Sequence, residues 1–169
     1  SFLAASITFI NEVARLSERV GADAKEVSAG LKSEPRIGAR AYLGPGGPFG
    51  GGTLARDVVT LTKLGERCGE RLSLIPAIKH SNDEHRGWAL RQVRSRLGDL
   101  TNRTVAVLGL VYTPNTNTLR RSAALELCRQ LQAAGARVQA FDPMIPKPSA
   151  ELDGVAIRHS VDETVEHAD

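Results

Sequence analysis

The run Thr104–Ser122, TVAVLGLVYTPNTNTLRRS, decides the fold. Its opening, Thr104–Leu110, is apolar and rich in β-branched side chains, as a strand buried on both faces should be. A polar stretch follows, and then Ser122–Ala134 reads as an amphipathic helix stopped by Gly135. Val138–Phe141 has the composition of a second strand, Val155–Ile157 of a short third, and Val161 opens another helix. Strand, helix and strand in this order make a βαβ unit, so the sequence predicts a parallel sheet covered by helices. Ligands of such sheets sit beyond the carboxyl ends of the strands, where helix N-termini offer free N–H groups. Val111–Ser122 is therefore a candidate ligand loop, although the same residues suit an ordinary capped βα turn equally well.

Upstream the pattern is helical. Leu3, Ile7, Ile10, Val13, Ala14 and Val20 recur at three- and four-residue intervals until Gly21. Asp23 and Glu26 then form a capping-box pattern for a second helix running to about Lys32. Thr53–Cys68 and Leu72–Leu97 resume the helical spacing, and Gly98 closes the latter. Between them lies Arg36–Gly52, RIGARAYLGPGGPFGGG, with seven glycines and two prolines. No regular element tolerates that composition. Ile37, Tyr42, Leu43 and Phe49 argue against a mere tether and for an ordered loop. The expected organisation is a mainly α domain over 1–100, with the glycine-rich loop 36–52 and one long connecting helix 72–97, then a Rossmann-like α/β domain over 101–169.

Composition narrows the function classes. Twenty-two basic against nineteen acidic residues leave a formal charge of +3, spread along the chain. The densest basic run, Arg91–Arg96, lies on a helical pattern and reads as a solvated face, so no nucleic-acid partner is expected. No apolar stretch approaches the roughly 18 residues of a membrane span, and Phe2–Ile10 lacks the charged start of a signal peptide. Cys68 and Cys128 stand far apart in helical stretches, which fits reduced thiols in a cytoplasmic protein. His80, His85, His159 and His167 show no metal-ligand spacing, and His80 and His85 read as solvated residues of a helix's polar side. The helical pattern is already running at Ser1 and still running at Asp169, so a piece of a longer chain is expected.

Several motifs in order resemble the UDP-glucose/GDP-mannose dehydrogenase family. LGLVYTPNTNTLRRS (108–122) is similar to that family's LGLxFKPxTDDxRxS, and a helix and AFDP (140–143) follow as they do there. RIG (36–38) and PGGPFGGGTLARD (45–57) are similar to its RIG and PGxGFGGxCxPKD. INE (10–12), GAD (21–23) and Asn82 also fall in family order, so the resemblance covers nearly the whole chain. It implies a central helical domain that dimerises and a C-terminal domain that binds a UDP- or GDP-sugar, in a parent protein that uses NAD to oxidise a sugar C6 alcohol. Because the chain has no GxGxxG fingerprint, NAD is not expected to bind this piece by itself.

Carried over residue by residue, the resemblance puts Gly50, Gly51 and Gly52 against the nucleotide sugar through their backbone amides, with Phe49 beside them. Arg36 would reach substrate across a dimer interface, Tyr112 would lie next to the nucleotide, and Arg120 would meet the cofactor pyrophosphate. The departures bear on catalysis. Thr53 stands at the position of the family's cysteine nucleophile; a thiol near pKa 8.5 is readily ionised, whereas a hydroxyl needs a dedicated base. Asp57, four residues on, matches the family's catalytic aspartate, and without a thiol beside it an exposed helix carboxylate is an equal reading. Ala55 and Arg56 replace the motif's proline and lysine. Thr113 replaces a substrate-site lysine, and Asn117 and Thr118 replace two aspartates. Two readings follow: a 6-dehydrogenase relative impaired in the second oxidation, or a non-catalytic sugar-nucleotide-binding or scaffold homologue.

Overall fold

The computed structural model describes every residue of the chain except Pro114, a member of the loop motif quoted above that lies outside the described residues. The chain divides into two compact units, Ser1–Arg86 and Gly87–Asp169.

The first unit is helical: α1 (Phe2–Val20), α2 (Ala24–Ser33), α3 (Thr53–Cys68) and α4 (Leu74–His85). Gly21 ends α1 in the left-handed region at φ 74°, where its N–H donates to the Ser17 carbonyl. Asp23 starts α2, its carboxylate accepting from the Lys25 N–H at 2.7 Å. The unit's core is small: Ala4 of α1, Val58 of α3, Ile78 of α4 and Phe49 from the glycine-rich loop. Ile7, Leu54 and Ile75 pack around them at the same helical spacing that marked these stretches as amphipathic.

The second unit comprises α5 (Trp88–Leu97), β1 (Thr104–Leu108), α6 (Ala123–Ala133), β2 (Arg137–Phe141), β3 (Val155–Ile157) and α7 (Val161–Val165). The three strands form a parallel sheet in the order β1-β2-β3, with Thr104 opposite Arg137 and Val138 opposite Val155. Leu125, Cys128 and Leu131 on one side of α6 bury against Val107, Val138 and Ala140 of the sheet, and Leu90, Val93 and Leu97 of α5 lie partly buried on the same core. α7 packs on β1 and β2, where the buried Gln139 side chain donates to the Thr164 carbonyl at 2.7 Å. Burial pushes the Cys128 thiol up to about 11, which makes it an inert core residue.

The structure corrects the expectation of one connecting helix over 72–97. Two helices stand there, α4 and α5, separated at Arg86–Gly87. Glycine loses more backbone freedom in a helix interior than any other residue, about 1 kcal/mol relative to alanine, and Gly87 sits at φ −82°, ψ −1°. The two halves also serve different cores: Ile75 and Ile78 pack in the first unit, Leu90, Val93 and Leu97 in the second. The boundary between units accordingly falls at residues 86 and 87, not at 100. No helix among the described residues is long and apolar enough to cross a membrane.

Leu131 is fully buried between α6 and the sheet. Leu131→Ala should cost about 3 kcal/mol, read as a lowered denaturant midpoint for the α/β unit with the slope unchanged.

Candidate functional site

The candidate residues fall on two loops, one in each unit. In the helical unit, the chain from Glu34 to Gly52 has almost no regular structure, and Pro45 and Pro48 have no N–H to give. Some of its backbone groups pair within the loop, as the Ala41 N–H does with the Gly38 carbonyl at 3.0 Å, and others find partners on side chains. Ser28 of α2 donates to the Leu43 carbonyl at 2.5 Å. Asn11 of α1 accepts from the Gly46 N–H at 3.0 Å and donates to the Gly47 carbonyl at 3.2 Å. Asn82 of α4 treats Phe49 the same way, accepting from its N–H at 2.9 Å and donating to its carbonyl at 3.1 Å. His85 Nε2 donates to the Gly46 carbonyl at 2.7 Å. Of the four apolar residues that argued for an ordered loop, Leu43 and Phe49 are buried, while Ile37 and Tyr42 are exposed.

Phe49 is a core residue of the helical unit. Gly50, Gly51 and Gly52 run directly into α3, whose N-cap, Gly52, offers no side chain to the first-turn amides. Thr53 is the first residue of α3 and is exposed; Asp57, one turn later, is half-buried. Cys68 closes the same helix, about 22 Å from Thr53 along the axis at 1.5 Å per residue. Arg36 lies just past α2 with its side chain 89% exposed, its Nε donating to the Glu34 carboxylate at 2.7 Å. That guanidinium and the Arg36 backbone N–H hold the Glu34 carboxyl below its ordinary value. Both groups are solvated, so the pair contributes little to stability.

In the α/β unit the loop after β1 is fastened at its root. Gly109 turns the chain at φ 86°, a conformation that suits only glycine well, and donates to the Phe141 carbonyl at 2.8 Å. Asp142, at the end of β2, is buried; its Oδ2 accepts from the N–H groups of Leu110 at 2.7 Å and Val111 at 2.9 Å, and its Oδ1 from Met144 at 2.8 Å. Burial opposes the carboxylate charge, but the amides of Leu110, Met144 and Val111 outweigh it and leave the group below its ordinary value. Ser122 both donates to the Leu110 carbonyl at 2.6 Å and caps α6 by accepting from the Leu125 N–H. The neck is closed by the Tyr112 N–H on the Thr118 carbonyl at 3.0 Å. Tyr112, Thr113 and Arg120 are exposed around it, and Arg121 takes a left-handed φ of 66°.

The structure thus places Phe49, Gly50, Gly51, Gly52, Thr53 and Asp57 on one continuous segment, with Arg36 earlier in the same unit, and Tyr112, Thr113 and Arg120 together on the other loop. His85 is corrected: it is buried, facing the glycine-rich loop and not solvent. Asn11, Asn82 and Asp142 belonged to motifs read in the sequence, yet their work as loop fasteners was not foreseen. The available signal was at Asn11, a polar side chain with Ile7 and Ala14 one turn away; Asn82 has only Ile78 so placed, and Asp142 follows a strand. Among the described residues no group of His, Cys, Asp and Glu could hold a metal ion.

A helical domain with a clamped glycine-rich loop is followed by a Rossmann-like sheet domain with a polar loop at the strand ends. Residues 1–84 match the model of the UDP-glucose/GDP-mannose dehydrogenase family, central domain, and residues 106–169 that of the family's UDP binding domain. The chain belongs to this family. It is similar to the UDP-glucose 6-dehydrogenase TuaD of Bacillus subtilis, 39% identical over 153 residues that make up 90% of this chain and 33% of that protein. Among solved structures it resembles a UDP-glucose dehydrogenase from Pyrobaculum islandicum, with a TM-score of 0.86 and 32% identity, covering 99% of this chain and 39% of the other. It also resembles a GDP-mannose dehydrogenase from Pseudomonas aeruginosa, with a TM-score of 0.64 and 26% identity over 98% of this chain and 40% of the other. The chain therefore spans about a third of the length of the curated relatives it matches.

The stability contributed by Asp142 has a definite pH dependence. A carboxyl whose folded pKa lies below its unfolded value of about 3.9 stabilises fully above that value and loses the contribution as pH falls through the folded pKa. Asp142→Asn should lower the unfolding free energy by about 2 kcal/mol at pH 7, and the gap from wild type should narrow below about pH 4, as followed by urea unfolding across pH.

Proposed function

We propose that the chain is the central and sugar-nucleotide-binding part of a cytoplasmic NAD-dependent nucleotide-sugar 6-dehydrogenase relative, whose parent oxidises a sugar C6 alcohol and is curtailed in the second oxidation. One observation carries this: Thr53 opens α3 directly behind the clamped glycine-rich loop, where the family motif has its cysteine. Neither thiol in the chain can deputise. Cys68 lies at the far end of α3, and Cys128 is a buried core residue with its thiol pushed up to about 11.

In this reading the amides of Gly50, Gly51 and Gly52 approach the nucleotide sugar, with Phe49 anchoring the segment that carries them. Arg36 supplies a solvated cation for an anionic oxygen. Tyr112 lies beside the nucleotide, Thr113 offers a hydroxyl in place of a lysine, and Arg120 serves the cofactor pyrophosphate. Asp57, one turn after Thr53, manages a proton. NAD itself does not fit the turn after β1, which has a single glycine, Gly109, and no further glycines to let a pyrophosphate approach. It is a cofactor of the full-length parent, held for the most part outside this chain, with Arg120 reaching its pyrophosphate. The second reading, a sugar-nucleotide-binding scaffold without catalysis, is favoured by Thr53 together with the charge lost at Thr113.

Full-length protein given NAD and a panel of UDP- and GDP-sugars should release about one NADH per sugar and accumulate an aldehyde. Thr53→Cys should raise the yield toward two and produce the acid. Two equivalents from the unaltered protein would exclude the impairment, and none from either form would favour the scaffold reading.

The same proposal includes a homodimer through the helical unit. Phe2, Phe9 and Leu16 recur every seven residues along α1, all exposed, with Val20 one turn beyond. Sedimentation of the full-length protein at micromolar concentration should show a dimer, and Phe9→Glu with Leu16→Glu should shift it to monomer while the helical signal is kept.

A further inference from the structure

We propose that Asn11, Asn82 and His85 are positioning residues that set the path of the Gly46–Phe49 backbone and, through it, the placement of the Gly50–Gly52 amides and Thr53 against a nucleotide sugar. The inference rests on the function proposed above and adds to it the residues on which ligand placement depends.

The loop cannot fix its own path. Pro45 and Pro48 lack N–H groups, and the glycines between and after them leave the backbone free to wander. A primary amide side chain carries a carbonyl acceptor and N–H donors, so it can complement the one N–H and the one C=O of a single residue at the same time. Asn82 does this to Phe49. Asn11 spans two residues instead, accepting from Gly46 and donating to Gly47, and His85 holds the Gly46 carbonyl from the other side. Asn11 and Asn82 are 2% exposed and His85 is 5% exposed. Their bonds are therefore shielded from competition with water, and their side chains have little room to adopt other rotamers.

The clamp has a particular address. Asn11 comes from α1, Asn82 and His85 from α4, and the Phe49 ring is seated in the core between helices. Every fixed point lies before Gly50, and α3 begins at Thr53. The segment Gly50–Gly52 is thereby held at both ends, by the clamp on one side and by a packed helix on the other. It contributes no side chains of its own, so its backbone position is set by its neighbours. A loss of any clamp residue is expected to act on ligand affinity through the loop, with no direct contact between that residue and the ligand.

The test uses the full-length protein and UDP-glucose or GDP-mannose as probe, with calorimetric Kd and amide hydrogen exchange as readouts. Asn11→Ala and Asn82→Ala should weaken binding at least tenfold and speed exchange across residues 46–53, while amides within α1 and α4 keep their protection. His85→Leu should do the same, and His85→Gln, which keeps a donor near the Nε2 position, should restore binding to within about twofold of wild type. That rescue, at equal thermal midpoint for the two His85 variants, is what a merely structural role would not give. Wild-type affinity in the alanine variants, or equal binding by His85→Leu and His85→Gln, would overturn the positioning role and leave the proposed function standing. If the wild-type protein binds neither sugar nucleotide, the proposed function fails and the positioning claim fails with it.

Discussion

A backbone amide or carbonyl removed from water without a partner costs about 1–3 kcal/mol, and this chain takes two non-regular segments close to its cores. The structure meets that demand twice by the same device. In the helical unit, side-chain amides from α1 and α4 pair with the loop around Gly46 and Phe49. In the α/β unit, the Asp142 carboxylate gathers the N–H groups of Leu110, Val111 and Met144. Each fastener is buried, and each is placed by a regular element whose own position is fixed by packing. The consequence is that both candidate loops are held near their roots while Thr53, Tyr112, Thr113 and Arg120 remain exposed. Such an arrangement suits ligand binding, because the ordering entropy of the backbone has already been met in the unliganded fold.

On the proposed reading, the identity of residue 53 separates binding from chemistry. Attack on an aldehyde by a side chain requires an anion or a base to make one. A thiol reaches its anion at neutral pH with modest help, from a helix N-terminus or a nearby cation. Thr53 has the helix N-terminus and an uncapped first turn, but a hydroxyl so placed still holds its proton. Asp57, one turn along, is a carboxylate on a helix, and it is only half-buried, so water remains a competing partner for any proton it accepts. If the proposal holds, the same fold that would serve a sulfur nucleophile leaves an oxygen one idle, without any need for the loop or the sheet to change.

Much of the architecture was legible from periodicity. TVAVL, RVQAF and VAI are strands because β-branched and apolar residues fill both sides of a sheet covered by helices, and their order alone implied the parallel pairing that is present. The helix break at Arg86–Gly87 was not legible, because Ile75, Ile78, Val93 and Leu97 keep helical phase across it. Apolar spacing records that a face is buried and does not record which core buries it. His85 was misread for a related reason: hydropathy counts imidazole as polar and assigns it to water, whereas a loop rich in bare carbonyls is an equally good destination. Asn11 and Asn82 stood in recognisable motifs, but a motif gives a position, and only the structure supplies the backbone atoms each amide meets.

Apart from Ala55 and Arg56, the substitutions named relative to the family pattern share one physical character. Thr53, Thr113, Asn117 and Thr118 all occupy places where a reactive or charged group stands in the motif, and all four are small and polar. The fastening residues, Asn11, Asn82, Ser122 and Asp142, and the turn residue Gly109 coincide with the motif where it specifies them. A segment with seven glycines between Arg36 and Gly52 is costly to order, and nothing in the packing of α1, α3 and α4 beyond the Phe49 ring requires it to follow that path. On the proposed function, the stretch Gly50–Gly52, which gives no side chain to that core, has its best physical account in a ligand that meets its backbone. This favours a site that still binds, with its charge reduced and its nucleophile absent, over a fold that has shed the site altogether.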